Sequence, residues 1–251
     1  MVVKQLLKTI FNKVIDFVFP PQCLVCGKIL HGEDGLCFQC LTKINFITNP
    51  KCSCCGRPFE VISKSTSTIS RKEQKNLLCP KCMIKKHKFD KCVSAVRYDE
   101  TSKKLILPFK HGDKTQLANF LGKIMNTAGR ELLTETDLII PVPIHFTRLL
   151  KRKYNQASLI GNTISKLSNK PIRHRILIRT TATASQGHLS PKQRKQNISG
   201  AFDVKHMEEI KGKTILLVDD VYTTGATVDE CAKTLKKYGA KKVFVLTFAH
   251  A

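Results

Sequence analysis

Apolar runs alternate with amphipathic segments along the chain from residue 93 onward. The runs predict strands, and the segments, whose apolar positions recur at helical spacing, predict helices. The predicted strands are 93–98, 138–142, 176–178, 201–204, 214–218 and 243–248, and the predicted helices are 117–133, 156–167 and 227–238. Because strands and helices alternate, we expect an α/β fold with a parallel sheet flanked by helices.

Residues 1–21 carry a different pattern, with apolar positions at helical spacing and Lys4, Lys8 and Lys13 off the apolar stripe, up to a stop at Pro20. This predicts an N-terminal amphipathic helix. It is too short and too charged to span a bilayer, and no small-residue cleavage site follows it. Two interpretations stay open: the helix packs on the body of the protein, or it rests as a basic helix on a membrane surface.

The segment between these regions, residues 22–92, is rich in cysteine and poor in regular periodicity, and we interpret it as a small module held together by metal. Ten of the eleven cysteines precede residue 93. Without a cleavable signal, we expect them in a reducing cytoplasm, where paired thiolates bind metal. Eight of them form four C-x2-C pairs: Cys23 and Cys26, Cys37 and Cys40, Cys52 and Cys55, Cys79 and Cys82.

Pairs of this kind are typical of tetrahedral, structural Zn²⁺ sites. Two interpretations remain: two zinc ions with four thiolates each, or one ion with the other pairs unmetallated. Cys54 could take the place of Cys52 as a ligand. Cys92 and Cys231 have no obvious partner, and Cys231 is most simply a small core residue.

The sequence Ile-Leu-Leu-Val-Asp-Asp-Val-Tyr-Thr-Thr-Gly-Ala-Thr, residues 215–227, carries the chemistry of the C-terminal region. A strand that leads through a glycine turn into a helix can hold a phosphate with backbone N–H groups, hydroxyls and the helix N-terminus. The phosphate-binding residues expected here are Thr223, Thr224, Gly225, Ala226 and Thr227. Asp219 and Asp220 are placed to accept hydrogen bonds from a ribose diol and to stabilise an oxocarbenium-like centre.

A P-loop NTPase also has acidic residues after an apolar strand. That class needs G-x-x-x-x-G-K-[ST] after an earlier strand. The one candidate, Gly212-Lys213-Thr214, has Met207 in place of the first glycine and precedes its strand. The sequence therefore excludes the NTPase interpretation.

The charge balance points to anionic partners. Lys and Arg number 43 against 19 Asp and Glu, for a formal net charge of +24. No acidic residue lies between Asp137 and Asp203, a stretch that holds twelve Lys and Arg. A solvated surface normally mixes both signs, so we expect this stretch to face phosphate, nucleic acid or an anionic membrane.

The motifs together resemble the ComF family of competence proteins. The resemblance covers roughly residues 22–251 and includes the phosphoribosyl diphosphate motif of type I phosphoribosyltransferases at 215–227. The matching segments are Phe109-Lys110-His111-Gly112-Asp113, Pro141-Val142-Pro143, Arg152-Lys153-Tyr154-Asn155-Gln156 and Gly200-Ala201-Phe202. Where the family usually has glycine, this chain has Lys153.

The resemblance implies a cysteine zinc ribbon at 22–92, a phosphoribosyltransferase-like domain at 93–251 and a phosphoribosyl diphosphate ligand with Mg²⁺. It also implies that Asp219 and Asp220 are the catalytic residues if the protein is an enzyme. The other ligand-binding residues would be Pro141, Val142, Pro143, Arg148, Arg152 and Arg194. Residues 180–197 resemble the hood that closes over substrate in related enzymes.

Two functions follow. The first is a DNA-uptake factor of natural transformation that binds phosphoribosyl diphosphate and single-stranded DNA on the cytoplasmic side, with the membrane or the uptake machinery as further partners. The alternative is an active phosphoribosyltransferase that acts on a nucleobase-like acceptor.

Overall fold

The computed structural model describes residues 20–30, 35–60, 76–111, 114–181, 196 and 198–251, without the side chains of His111, Arg148 and Lys151. The predictions for the N-terminal helix, for Arg194 and for most of the 180–197 hood lie outside the described residues. The chain divides into two compact units, Met1–Asn45 and Phe46–Ala251. The domain boundary at residue 92, which the composition suggests, stays a prediction, since the two compact units meet at residues 45 and 46.

The first unit is built on short-range contacts around its cysteines. Isolated bridges join Gln22 to Ile29 and Cys23 to Gly35. One short helix, α1, spans Phe38–Leu41. With so little regular structure, the described part of this unit depends on its cysteines to fix the chain.

The second unit contains the main sheet. Its parallel strands are β1 (Lys91–Arg97), β2 (Leu138–Pro141), β5 (Thr214–Tyr222) and β6 (Lys242–His250), in the spatial order β1-β6-β5-β2. The central strands are rich in Val, Leu and Ile and are almost entirely buried, as expected of a parallel sheet with both faces covered. A separate antiparallel pair joins β3 (Leu177–Arg179) to β4 (Phe202–Val204).

Helices pack around this sheet. They are α2 (Pro80–Ile84), α3 (Glu100–His111), α4 (Leu117–Ala128), α5 (Arg130–Glu135), α6 (Phe146–Arg152), α7 (Gln156–Ser168) and α8 (Ala226–Lys237). The predicted fold class, a parallel α/β sheet flanked by helices, is confirmed. In the described part of the chain, no helix is long and apolar enough to cross a membrane.

Several predicted bounds are wrong for identifiable physical reasons. The single helix expected at 117–133 is broken at Gly129, whose backbone leaves the helical conformation (φ −90°, ψ 8°) between α4 and α5. Helices α3 and α6 were not predicted. Strand β5 runs to Tyr222 instead of stopping at 218, because it stays paired with β6 as far as His250.

Candidate functional site

The acidic pair lies on the carboxyl-terminal part of β5. Asp219 and Asp220 follow the buried run 215–218 and are partly buried themselves. The Asp220 N–H donates to Oδ1 of Asp219 at 2.9 Å, which holds the first carboxylate beside the second. The carboxyl end of a parallel strand is where open α/β sheets place their ligands.

Cationic side chains surround this pair. Nζ of Lys110, near the end of α3, lies 3.0 Å from Oδ2 of Asp220, and both side chains are largely buried. Two arginines act on this site through their charge. Arg179 on β3 lowers the pKa of Asp219, and Arg152 on α6 lowers the pKa of Lys110. The site therefore combines two carboxylates with cations contributed by three separate elements.

The Asp219 carboxyl binds a proton more tightly than an ordinary aspartate does. Burial, followed by the charge of Asp220, raises the pKa of Asp219 to about 7 despite the opposing charges of Lys110 and Arg179. Burial lowers the pKa of Lys110, but the charges of Asp220 and Asp219 outweigh it, so the pKa rises overall. A carboxyl that titrates near neutrality can exchange a proton at physiological pH.

The loop after β5 has the geometry that phosphate binding needs. Gly225 has φ +74° and precedes helix α8, and a Cβ there would lie 2.7 Å from Cζ of Tyr222. Only glycine fits this backbone without strain. No side chain caps the helix at this residue, and Oγ1 of Thr224 accepts a long 3.4 Å bond from the Ala226 N–H.

The acidic residue in the first turn of α8 is engaged elsewhere. Oδ1 of Asp229 accepts a 2.7 Å hydrogen bond from the Lys88 N–H and lies 3.3 Å from Nδ1 of His87. Its Oδ2 lies 3.4 Å from Nζ of Lys85. Because this carboxylate points to the 85–88 segment, it leaves the N–H groups at the start of α8 to the predicted phosphate.

The predicted diphosphate loop lies beside the acidic pair. The Val142 N–H donates to the Val218 carbonyl at 2.9 Å, which fixes the residues after β2 next to β5. Asn155 secures the same loop through a 3.0 Å bond to the Val142 carbonyl. Arg148 lies in α6, but its side chain is not among those that the structure describes. Arg152, at the end of α6, donates a hydrogen bond to the Gln156 side chain at 3.4 Å.

Lys153, where the family usually has glycine, adopts a left-handed backbone conformation. Lys153 has φ 64° and ends helix α6 in the left-handed region. An L-residue there costs roughly 1–2 kcal/mol. The lysine at this position therefore adds some backbone strain at the end of α6.

The eight predicted metal ligands form two groups of four cysteines, Cys23, Cys26, Cys37 and Cys40, and Cys52, Cys55, Cys79 and Cys82, with each group's sulfur atoms within 4.8 Å of one another. The Sγ atoms of Cys26 and Cys37 are 3.7 Å apart, as are those of Cys55 and Cys79. A tetrahedral ion with Zn–S of about 2.3 Å requires sulfurs about 3.8 Å apart. Both groups therefore fit Zn²⁺ and would hold it as a structural ion.

The remaining cysteines stay outside these groups. Cys54 is no ligand in this arrangement, and its carbonyl accepts a 2.7 Å bond from the Cys92 N–H on β1. Cys92 and Cys231 are buried in the core, and burial raises the pKa of both thiols. They are packing residues.

Sequence reasoning missed two cations of the site, Lys110 and Arg179. Lys110 belongs to a segment that matches the family, but it lies on a helix with Pro108 inside. A proline in a helix interior masks the helical pattern, so the direction of the Lys110 side chain could not be inferred. Arg179 belongs to the acid-free basic stretch, and strand β3 is too short to show from its pattern which way the side chain points.

Comparison with known proteins supports this architecture. The double zinc ribbon domain family matches residues 14–83, and the phosphoribosyl transferase domain family matches residues 132–250. Competence protein F of Haemophilus influenzae is 30% identical over 92% of this chain and 97% of its own length. DNA utilization protein YhgH of Escherichia coli is 29% identical over 90% and 95%, and competence protein ComFC of Bacillus subtilis is 25% identical over 84% and 82%.

The similarity to competence protein F extends over nearly the whole of both chains. This chain belongs to the ComF family of competence proteins. It combines a double zinc ribbon with a phosphoribosyltransferase-like domain.

Proposed function

We propose that this member of the ComF family binds phosphoribosyl diphosphate at the carboxyl end of β5 and handles incoming single-stranded DNA on the cytoplasmic side during natural transformation. The observation that supports this ligand is the carboxylate pair close to a helix N-terminus that no side chain caps. Asp219 and Asp220 precede Gly225 by a few residues, and α8 begins at Ala226. Carboxylates suit a diol and the helix N-terminus suits a phosphate.

The phosphate loop, the acidic pair and the cations would bind different parts of the ligand. The 5-phosphate would lie on the loop at 223–227, and the ribose hydroxyls would donate to Asp219 and Asp220. The diphosphate would face Arg148, Arg152 and the 141–143 loop, with Arg194 from the hood. Carboxylate and diphosphate oxygens are the ligands that Mg²⁺ prefers, and the ion would neutralise diphosphate charge.

The DNA role is supported by charge and by the relatives. Three lysines in or just after the Cys79–Cys82 pair, Lys81, Lys86 and Lys88, are exposed, whereas Lys85 and Lys91 pair with acids. Relatives of similar length are named for competence and for DNA utilization. A basic surface of this kind binds the phosphate backbone without sequence preference.

Salt dependence tests the DNA role. Affinity for a labelled oligo-dT is expected to fall steeply between about 50 and 200 mM salt, because each neutralised phosphate releases counterions. Affinity for double-stranded DNA of equal length gives the comparison. An affinity that is flat with salt, or no binding at all, would contradict the proposal.

Catalytic transfer to a nucleobase-like acceptor is the second candidate, and the near-neutral pKa of Asp219 favours it. The test is diphosphate release with a panel of bases, in wild type and in the Asp219→Asn/Asp220→Asn variant. Release that depends on one base and is lost in the variant supports the enzyme. Ligand binding without release supports a regulatory ligand.

A further inference from the structure

A short segment of the chain connects one set of zinc ligands to the phosphate loop. The four ligands are Cys52, Cys55, Cys79 and Cys82. Helix α2 (Pro80–Ile84) carries the last of them, and residues 85–88 follow that helix directly. These residues contact the first turn of α8, which begins at Ala226 immediately after the loop glycine. The zinc site and the ligand loop are therefore joined by a stretch of only a few residues.

Asp229 makes this contact from the side of α8. Its Oδ1 accepts a 2.7 Å hydrogen bond from the Lys88 N–H and lies 3.3 Å from Nδ1 of His87. Its Oδ2 lies 3.4 Å from Nζ of Lys85. The backbone N–H of Asp229 donates to the Gly225 carbonyl at 2.8 Å. Asp229 therefore holds the segment after α2 with its side chain and the glycine of the phosphate loop with its backbone.

Aromatic rings make a second connection between the same two places. The ring of His87, whose side chain is 7% exposed, stacks on Phe89 at a centroid distance of 4.6 Å. Phe89 meets Tyr222 edge-on at 6.2 Å, and Tyr222 directly precedes the loop. The same hydrophobic core includes Phe89, Tyr222 and cysteines of the zinc site. Because a close-packed core transmits displacement, loss of the metal would reach the loop through these rings as well as through Asp229.

The contacts around Asp229 serve both binding events. A structural zinc ion contributes folding free energy, because the thiolates fix the chain only when the metal is bound. A phosphate on a loop at a helix N-terminus needs the backbone N–H groups to converge on it. Since the Asp229 contacts order the zinc segment and the loop together, each ligand meets a partner that the other has already ordered. Two ligands that stabilise the same contacts bind with positive coupling, and the coupling is equal in both directions.

We propose that Asp229 is a positioning residue that couples the zinc site of residues 52–82 to the ligand loop, so that zinc and phosphoribosyl diphosphate each strengthen the binding of the other. This inference rests on the proposed function, because it concerns the ligand of the 219–227 segment. It adds a regulatory role to a structural ion, since chelation of this one zinc lowers the affinity for the ligand. The zinc site of residues 23–40 belongs to the other compact unit and serves as an internal reference.

Competition with a chromogenic chelator measures the zinc affinity of each site in the full chain, with and without phosphoribosyl diphosphate and Mg²⁺. In wild type the ligand should raise the affinity for one zinc by about tenfold, which is a usual size for coupling between sites, and leave the other within about twofold. Cys23→Ser removes a thiolate of the reference site and should keep the responsive zinc, which assigns the effect to the other four cysteines. Zinc binding by phosphoribosyl diphosphate itself would lower both apparent affinities equally.

Substitutions at Asp229 test whether the coupling depends on its side chain. Asp229→Ala removes every side-chain contact and keeps the backbone bond to Gly225, so the effect of the ligand on the responsive zinc should fall to within about twofold. Asp229→Asn keeps an acceptor for the Lys88 N–H and should retain part of the effect. Glu131→Gln is the matched control, because it removes the same charge from an 86% exposed side chain and should couple as wild type does. A merely structural role for Asp229 would lower stability and leave the effect of the ligand on zinc unchanged.

Calorimetric titration of the same proteins with phosphoribosyl diphosphate and Mg²⁺ separates failure of this inference from failure of the proposed function. Ligand binding by wild type with unchanged zinc affinities would overturn the coupling alone. No ligand binding by wild type would overturn both. Equal effects of the ligand on the two zinc sites, or a coupling in Asp229→Ala as large as in wild type, would overturn the role of Asp229.

Discussion

The two four-cysteine groups share one sequence pattern and differ in their surroundings. We call Cys23, Cys26, Cys37 and Cys40 the first group, and Cys52, Cys55, Cys79 and Cys82 the second group. In the first group Cys26 is exposed, and the unit around it has little regular structure. The second group packs into the hydrophobic core of the sheet-containing unit, together with Phe89, Cys92 and Tyr222.

The glycine that follows the first C-x2-C pair of each group shows the same contrast. Gly27 and Gly56 both have positive φ, +74° and +72°. A Cβ at Gly27 would meet no described atom within 4 Å, whereas one at Gly56 would lie 2.7 Å from the Cys92 carbonyl on β1. The first knuckle is therefore held by local contacts, and the second is packed into the sheet-containing unit.

The largest expected effect is from removing one ligand of each group. Cys52→Ser should destabilise the sheet-containing unit by about 4 kcal/mol or more, because it disrupts a metal site inside the core. This corresponds to a fall in Tm of roughly 10 °C for a unit of this size. Cys23→Ser should release the first zinc and leave the main thermal transition within about 2 °C of wild type, because the first group lies outside that core.

Differential scanning calorimetry with zinc quantification by a chromogenic chelator measures both effects. The zinc count is the control, since each variant should lose one ion. Equal losses of Tm for the two variants would mean that the two groups are structurally equivalent.

The glycine pair should give the next largest difference. Gly56→Ala requires the backbone of β1 to shift and should cost about 2–4 kcal/mol. Gly27→Ala carries only the left-handed strain of about 1 kcal/mol. Chelator-driven zinc release under increasing urea follows each site separately, and similar sensitivity of the two variants would remove the distinction.

Asp229 ties the segment after the second group to α8, and its loss should have an intermediate effect. Asp229→Asn is expected to cost about 1–2 kcal/mol at pH 7, because it removes charge-assisted bonds to Lys88 and His87 from a side chain that is 13% exposed. Glu131→Gln is the control, since Glu131 pairs with Lys91 at 3.2 Å but is 86% exposed and should cost under about 0.5 kcal/mol.

The pH dependence has a defined sign. Burial raises the pKa of Asp229, but His87 and the Lys88 N–H outweigh it and hold the pKa below its usual value. A lowered pKa in the folded state contributes stability above the ordinary carboxyl pKa and loses it as pH falls through the lowered value. Urea unfolding should therefore show the full difference between wild type and Asp229→Asn at about pH 5 and a smaller one as pH falls below about 4. A difference that stays the same down to about pH 2 would show that the bond is not ionic.

The smallest expected effect comes from Lys153, which lies outside both cysteine groups and measures the cost of a left-handed backbone. Lys153→Gly should change stability by no more than about 1 kcal/mol, in the stabilising direction, because relief of strain at φ 64° exceeds the added freedom of the unfolded chain. Urea unfolding measures it. A destabilised variant would mean that the Lys153 side chain contributes more than its backbone costs.

Sequence patterns predicted the features that repeat locally. The parallel strands, the eight ligand cysteines and the glycine loop each depend on spacing within a short segment, and residues 215–227 showed the loop without any tertiary information. The spacing of the cysteines does not distinguish the two groups, because each consists of two C-x2-C pairs. What separates them is the contact of Gly56 with Cys92, which joins segments far apart in the chain.

The electrostatic part of the site could not be predicted for the same reason. Lys110 reaches Asp220 because α3 continues through Pro108, and Arg179, whose charge lowers the pKa of Asp219, is placed by the β3–β4 pair. Strand β5 was predicted to end too early, since its apolar run stops at Asp219 although the following residues still pair with β6. Tertiary pairing decides each of these positions.

Phosphoribosyl diphosphate is the ligand proposed for the 219–227 segment. Calorimetric titration of the zinc-loaded chain with phosphoribosyl diphosphate and Mg²⁺ tests it most directly. Wild type should bind one equivalent, more tightly at pH 8 than at pH 6 because Asp219, with a pKa of about 7, must ionise. The Asp219→Asn/Asp220→Asn variant should bind at least about tenfold more weakly with its zinc content unchanged. Equal affinity in wild type and variant, or no binding by wild type, would contradict the account.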